Sequence, residues 1–158
     1  MKIVYVHHAL RQKNNPPSQD DKIQPLGIKD AEIIAEIMKM MSQQSNNIKA
    51  IYTSPYYRCA KTSKIINQYI NVPIYNEPRF NELSNTETWK ECQIRIRNAI
   101  KDIVFKYNDD DIVICVTSGV NITAFISLAF KIQPAETLPF PIVLTCSPII
   151  FKIDKSCF

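Results

Sequence analysis

Two kinds of apolar segment alternate along this chain. The first kind is short and either rich in β-branched residues or apolar throughout, which is typical of strands; these segments are 2–6, 49–53, 73–75, 112–116, 142–145 and 149–153. The second kind repeats its apolar residues with helical spacing; these segments lie around 27–41, 55–70, 88–107 and 122–130. Because strands alternate with helices, we expect an α/β fold, a three-layer sandwich whose mostly parallel central sheet carries helices on both faces.

Local signals mark two helix starts and one central strand. Ser54 followed by Pro55 predicts an N-cap and the first residue of a helix. Thr88 and Glu91 have the spacing of a capping box, which predicts a second helix start. The strand at 112–116 is apolar on both faces, so we expect it in the middle of the sheet.

The composition of the chain adds little to the fold that this pattern predicts. A chain of 158 residues is long enough for one domain with a full core, and we expect residues 1–158 to form a single domain. The net charge is +4 and the basic residues are scattered, which indicates a slight bias toward anionic ligands and argues against a nucleic-acid partner. The apolar segments are too short for a membrane span or a secretory signal, so we expect no membrane association.

Five cysteines are spread along the chain without a C-x-x-C pair. An odd number at wide spacing favours neither a disulfide framework nor zinc ligation. We therefore expect reduced thiols, a cytoplasmic location and a site that uses no metal or other cofactor.

The chain has two histidines, His7 and His8, and they are adjacent where the first strand ends. In α/β sheets the chemistry gathers at the carboxyl ends of the strands. Adjacent residues of an extended backbone point to opposite faces, so we expect at most one of the two rings in a given pocket and no metal shared between them. His8 is the candidate nucleophile, and a buried histidine of the core is the alternative.

Other candidates follow other strands. Arg58 lies one turn into the second helix, where a guanidinium can hold a phosphate bidentately near the helix N-terminus; a surface salt bridge is the alternative. Glu82 lies in an irregular segment and can donate a proton, unless it is a solvated loop carboxylate. We expect the junctions at His8, Ser54 and Ser118 to gather at one edge of the sheet.

Together these residues resemble the histidine phosphatase superfamily, the phosphoglycerate-mutase-like group, over nearly the whole chain. The most specific match is to the Ser-Ser-Pro-Leu-x-Arg-x-x-x-Thr motif of that family, which here begins at Thr53 and includes Arg58 and Thr62. Near the start of the chain, His7-His8-Ala9 matches an Arg-His-Gly motif of the family, and Asn14 matches an Asn six residues after its catalytic His. Further along, Glu82 matches an acidic residue that follows the second helix, and Thr117-Ser118-Gly119 matches a Ser-His-Gly motif.

The chain departs from this family at the phosphate pocket, which the family builds from two Arg and two His. His7 stands in place of the first Arg, Ser118 in place of the second His, and Ala9 in place of a glycine. Arg11, three residues after His8, is a candidate to replace the lost guanidinium. The implied catalytic residues are His8 and Glu82, and the implied phosphate-binding residues are Arg58, Asn14, His7, Ser118 and Arg11.

The resemblance implies hydrolysis of a phosphomonoester in two steps. His8 attacks the phosphorus, Glu82 protonates the leaving oxygen, and water then hydrolyses the phosphohistidine. The short chain leaves little room for the lid insertions of the mutases, which favours hydrolysis, and the altered pocket implies a reduced rate. The expected partner is a phosphorylated small molecule or a phosphoprotein. The alternatives are a catalytically inactive relative that binds a phosphorylated ligand or a protein partner, and a structural α/β domain with an accidental motif.

Overall fold

The computed structural model describes residues 1–12, 18, 20–45, 47–130 and 145–158. Within these residues, five strands form one sheet in the order β3-β2-β4-β1-β5. The strands are β1 Lys2–His7, β2 Ile48–Thr53, β3 Ile74–Asn76, β4 Ile112–Thr117 and β5 Pro148–Lys152. The first four run parallel, and β5 pairs antiparallel with β1. The predicted mostly parallel sheet is confirmed, while the strand predicted at 142–145 falls almost entirely outside the described residues.

Helices cover both faces of this sheet. They are α1 Pro25–Ser45, α2 Tyr57–Ile70, α3 Trp89–Val104 and α4 Gly119–Ala129. The buried residues of α1 and α2 share one core cluster with Val4 and Val6, whereas those of α3 and α4 share a second cluster with Ile3 and Tyr5. Because alternate residues of β1 belong to different clusters, the two helix pairs lie on opposite faces. The predicted three-layer α/β sandwich is confirmed.

The strand predicted to be central is β4. It pairs with β1 on one side and with β2 on the other, and all of its residues are buried. Val113 and Cys115 pack into one core cluster, and Ile114 and Val116 pack into the other. This strand, which is apolar on both faces, therefore lies in the middle of the sheet, as its pattern predicts.

The two predicted helix starts have different outcomes. Thr88 caps α3 with a complete capping box, in which its side chain and that of Glu91 bond each other's backbone amides. The prediction at Ser54 is wrong, because α2 begins at Tyr57 and its N-cap residue makes no side-chain capping bond. The Ser54 hydroxyl instead donates to the side chain of Asn81 over 2.9 Å and accepts the amide of Tyr56 over 3.3 Å.

Four thiols are described, those of Cys59, Cys92, Cys115 and Cys146, and all four are free and buried. Burial raises the pKa of Cys59 to about 12, although it lies next to Arg58. A thiol with so high a pKa remains protonated near neutral pH and is a poor nucleophile. Across the described part of the chain, no helix combines the length and apolarity that a membrane crossing needs.

Candidate active site

Backbone bonds continue the parallel pairing beyond the ends of β1, β2 and β4. The amide of His8 donates to the carbonyl of Thr117 over 3.0 Å, and the amide of Ser54 donates to the carbonyl of Val116 over 3.1 Å. The residue after Thr117 is Ser118, which is the N-cap residue of α4. The structure therefore brings the junctions at His8, Ser54 and Ser118 to one edge of the sheet, as the sequence predicts.

His8 is 5% exposed and has hydrogen-bond partners at both ring nitrogens. Its Nδ1 lies 2.9 Å from the carbonyl oxygen of Ala9, and the Nε–H of Arg58 donates to its Nε2 over 3.1 Å. Because a guanidinium only donates and a carbonyl only accepts, the hydrogen-bond pattern assigns the proton to Nδ1. Nε2 therefore carries no proton, and its lone pair accepts the hydrogen bond from Arg58.

Burial favours the neutral form of this ring. Burial has the largest effect and the neighbouring charges of His7 and Arg58 add to it, so the pKa of His8 is lowered to about 3 despite the opposing effect of the bond to Ala9. At neutral pH the imidazole is therefore uncharged, which is the state that a nucleophile needs.

Arg58 is 3% exposed and connects three parts of the site. Its Nε bonds His8, its Nη1 donates to the carbonyl of Ser18 over 3.1 Å, and its Nη2 pairs with the carboxylate of Glu82. The ring of Tyr56 lies 4.9 Å from the guanidinium carbon. His8, Arg58 and Glu82 thus form one continuous hydrogen-bonded chain, with Glu82 at its solvent end because its side chain is 38% exposed.

Thr62 joins the turn after β1 to helix α2. Its Oγ1 accepts the amide of Ala9 over 3.0 Å and donates to the carbonyl of Arg58 over 2.7 Å. The side chain is fully buried, so no water replaces it. Thr62 therefore fixes the backbone that carries His8 relative to the backbone that carries Arg58.

The segment that carries Glu82 is held by residues that the sequence reasoning missed. Asn121 is fully buried on the first turn of α4, and its Nδ2 lies 2.8 Å and 2.9 Å from the carbonyl oxygens of Phe80 and Asn81. Arg95 also donates to the Asn81 carbonyl, over 3.0 Å. An Asn near the start of an otherwise apolar helix was the available signal, because a buried amide needs partners.

His7 and His8 contradict the prediction of opposite faces. Their ring centroids lie 4.5 Å apart in an edge-to-face arrangement. The alternation of side chains is expected only along the strand, and β1 ends at His7, so the pattern does not extend to His8. The ring of His7 also lies over Gly119, where a Cβ would stand 3.2 Å from its Cε1.

Ser118, Arg11 and Asn14 complete the predicted set. Ser118 is 2% exposed, and among the described residues its hydroxyl has no hydrogen-bond partner. Arg11 forms an ion pair with the buried carboxylate of Asp21, so the guanidinium expected to replace the lost arginine is already engaged. Its charge still contributes to the low pKa of His8, after burial and the closer charges. Asn14 lies outside the described residues.

An open cleft of about 520 Å³ adjoins this chain of residues on the side of Glu82. Tyr56, Asn81 and Arg95 also line it. The carboxylate of Glu82, at the solvent end of the hydrogen-bonded chain, therefore faces a space large enough for a small ligand.

Sequence comparison identifies one family. Residues 6–86 and 84–158 match the profile of the histidine phosphatase superfamily (branch 1). A comparison with curated protein sequences finds no match.

Solved structures share the fold over most of the chain. YhfR from Bacillus stearothermophilus is 20% identical with a TM-score of 0.80, over 97% of this chain and 91% of that chain. A mycobacterial glucosyl-3-phosphoglycerate phosphatase in complex with VO3 is 15% identical with a TM-score of 0.75, over 94% of this chain and 90% of that chain. The protein histidine phosphatase SixA, complexed with tungstate, is 12% identical with a TM-score of 0.73, over 99% of this chain and 90% of that chain.

Proposed function

Because the chain belongs to the histidine phosphatase superfamily (branch 1), we propose that it hydrolyses phosphomonoesters through a phosphohistidine on Nε2 of His8. The single observation that carries this proposal is the hydrogen bond from Arg58 to that nitrogen. It holds a neutral imidazole with its lone pair toward the one buried guanidinium of the site, which is the group that would bind the phosphate.

Arg58 makes the first step possible by exchanging partners. An incoming phosphate takes over Nη1 and Nη2, which the carbonyl of Ser18 and the carboxylate of Glu82 now occupy. Both nitrogens lie on one planar fork, so they can bind two phosphoryl oxygens at once. The bond from the Nε–H of Arg58 to Nε2 of His8 must also break as the guanidinium turns to the phosphate. The exchange thus frees Nε2 to meet phosphorus and frees the carboxyl group of Glu82.

The chemistry then follows from the two freed groups. The lone pair of Nε2 forms a bond to phosphorus while the bond to the leaving oxygen breaks, and protonated Glu82 gives its proton to that oxygen. Water next attacks phosphorus, its proton passes to Glu82, and the bond to Nε2 breaks. The carbonyl of Ala9, 2.9 Å from Nδ1, stabilises the positive charge on the phosphorylated ring.

The rate we propose is reduced relative to an intact pocket of this family. One well-placed electrostatic donor contributes on the order of 10²–10³ in rate, and Arg11, the candidate replacement, is paired with Asp21. The same observation favours a second candidate function, a catalytically inactive relative that binds a phosphorylated ligand or a protein partner. For the hydrolase, the proposed partner is a phosphorylated small molecule or a phosphoprotein, and the proposed location is cytoplasmic.

Hydrolysis of an aryl phosphate by the wild type and by His8→Ala tests this function. We expect slow turnover by the wild type, none by His8→Ala, and an acid-labile phosphoenzyme that forms only when His8 is present. Circular dichroism of both proteins checks that the fold is retained. Equal rates for the two proteins would refute the covalent mechanism, and phosphate binding without any turnover would favour the binding-only relative.

Arg58→Ala and Arg97→Ala form a matched pair for the same assay. Both remove a guanidinium, but Arg97 lies on the surface against the ring of Phe158. We expect turnover and phosphate binding to be lost in the first variant and unchanged in the second. Equal effects would mean that charge alone, and not the contact with His8, supports the activity.

A further inference from the structure

We propose that helix α1 is the contact surface of a homodimer, in which two copies of this chain pack their α1 helices antiparallel across a two-fold axis at Ile33. The contact is made by a line of exposed residues that we call the outer stripe of α1: Leu26, Lys29, Ile33, Glu36 and Met40. Helix α1 contributes none of the proposed catalytic residues, so this inference is independent of the proposed function.

The outer stripe departs from the usual pattern of an amphipathic helix. The buried residues of α1 lie on its inner face and pack in the core cluster that also contains Val4 and Val6. The opposite face of such a helix is expected to be polar. In α1 it carries three large apolar side chains, those of Leu26, Ile33 and Met40, which are 54–61% exposed.

The three apolar side chains of the stripe lie in one line. Residues seven positions apart in an α-helix are separated by nearly two full turns, so Leu26, Ile33 and Met40 follow one another over about 21 Å. Across the described residues, nine large hydrophobic side chains are exposed, and three of the nine belong to this line. Single exposed hydrophobic residues are ordinary on a monomer, whereas a set gathered in one place indicates an interaction surface.

The charged residues of the stripe have no ionic partner within the described part of the chain. Lys29 and Glu36 are both exposed, and neither takes part in an ion pair with another described residue. They are also seven positions apart, or about 10 Å along the helix axis, which is too far for them to pair with each other. Both charges are therefore available to a second copy.

The order of the charges selects the antiparallel arrangement. With the two-fold axis at Ile33, a residue before Ile33 faces the residue equally far after Ile33 in the second copy. Leu26, seven positions before, meets Met40 of the second copy, and Lys29, four positions before, lies beside Glu36 of the second copy, three positions after. A parallel pair would place Lys29 against Lys29 and Glu36 against Glu36, and contact between like charges disfavours it.

The small size of the contact determines its strength. Specific, stable interfaces bury about 1,200–2,000 Å² in total, whereas the outer stripe is a single line of side chains. Each favourable contact occurs twice, because the same surface of both copies is used. The dimer should therefore be reversible, with a dissociation constant of about 10–100 µM.

Sedimentation velocity of the full chain between about 1 µM and 1 mM tests the dimer. We expect the average mass of the wild type to rise from that of one chain toward that of two. Ile33→Gln should remain monomeric throughout with an unchanged Tm. Ile94→Gln, which changes an equally apolar residue that is 49% exposed on α3, should dimerise as the wild type does. A monomeric wild type at the highest concentration would overturn the proposal, and so would an Ile33→Gln protein that dimerises normally.

Charge reversal tests the antiparallel register. Lys29→Glu and Glu36→Lys, made singly, each place like charges across the axis, and we expect each to weaken the dimer about tenfold. The double variant restores opposite charges in reversed order, so its dissociation constant should return to within about threefold of that of the wild type. Lys61→Glu, at an exposed position of α2, is the control and should have no effect. A double variant as weak as the single ones would overturn the proposed arrangement.

Discussion

The Nε–H of Arg58 donates to Nε2 of His8 over 3.1 Å, deep in a site where both side chains are at least 95% buried. The remaining nitrogens of the guanidinium bond Ser18 and Glu82. Before any anion binds, each nitrogen of this guanidinium therefore already has a hydrogen-bond partner. A phosphate must exchange with these partners, and its affinity is the difference between two sets of charged hydrogen bonds.

Arg58→Lys tests whether this fork geometry is needed. A lysine keeps the charge but is a point donor, so it cannot bond His8, Ser18 and Glu82 together or hold a phosphate bidentately. We expect turnover of an aryl phosphate to fall by about 10²-fold or more, in the range for loss of one transition-state donor. Steady-state kinetics beside Arg97→Lys measures this, and wild-type turnover in Arg58→Lys would mean that charge alone is sufficient.

Thr62→Val tests the link between the backbone that carries His8 and the backbone that carries Arg58. Valine has the shape of threonine but leaves the buried amide of Ala9 without its acceptor, at a cost of about 1–3 kcal/mol in unfolding free energy. Urea unfolding measures that loss, and Thr62→Ser, which keeps the hydroxyl, should recover most of it. If Thr62→Val and Thr62→Ser are equally stable, the hydrogen bond to Ala9 contributes nothing.

The low pKa of His8 predicts how stability depends on pH. An unfolded histidine binds a proton near pH 6.5, whereas burial keeps folded His8 neutral to about pH 3. Between these values the unfolded state binds more protons, so stability falls as the pH falls, by up to about 1.4 kcal/mol per unit. Above pH 6.5 this contribution is constant.

Urea unfolding at several pH values between 7 and 4 measures this slope. His8→Gln keeps an acceptor for Arg58 but does not titrate, so its stability should decrease less steeply toward acid. Parallel pH profiles of the two proteins would show that His8 is protonated in the folded state and would contradict the predicted neutral nucleophile.

The fold was predictable because its signals are local and periodic. β4 is apolar on both faces, and such a segment has only a central position available to it. The capping box of Thr88 and Glu91 acts within one helical turn, so no distant residue overrides it. Ser54 shows the opposite case, since its hydroxyl has a distant partner in Asn81 and is not used as a cap.

The candidate site was predictable only in part. The strand ends bring His8, Arg58 and Glu82 together, and the order of the chain indicates those ends. The contact of His7 with His8 and the ion pair of Arg11 depend on where a loop turns after β1 and which carboxylate it meets. No periodic pattern encodes either contact, and each therefore needed the structure.

Replacing each of the two glycines of the chain by alanine tests whether the position of the His7 ring matters. Gly119 lies against that ring, and Gly27 is the control. At Gly27 a Cβ would lie 2.6 Å from the backbone oxygen of Leu10. Because backbone atoms cannot move aside without distorting the fold, Gly27→Ala should lower the unfolding free energy by about 1–3 kcal/mol, as overpacking does. Urea unfolding measures this loss, and the catalytic constant per folded molecule should remain that of the wild type.

Gly119→Ala should have the opposite result. The new Cβ would lie 3.2 Å from Cε1 of His7, a side-chain atom that can move by a few tenths of an ångström. Alanine is favoured over glycine in a helix by up to about 1 kcal/mol, so stability should be kept or raised. Displacement of a catalytic group by 1 Å costs about 10²-fold, and the smaller shift here should lower kcat about tenfold. A stable Gly119→Ala protein with wild-type kcat would mean that the position of the His7 ring does not matter to the reaction.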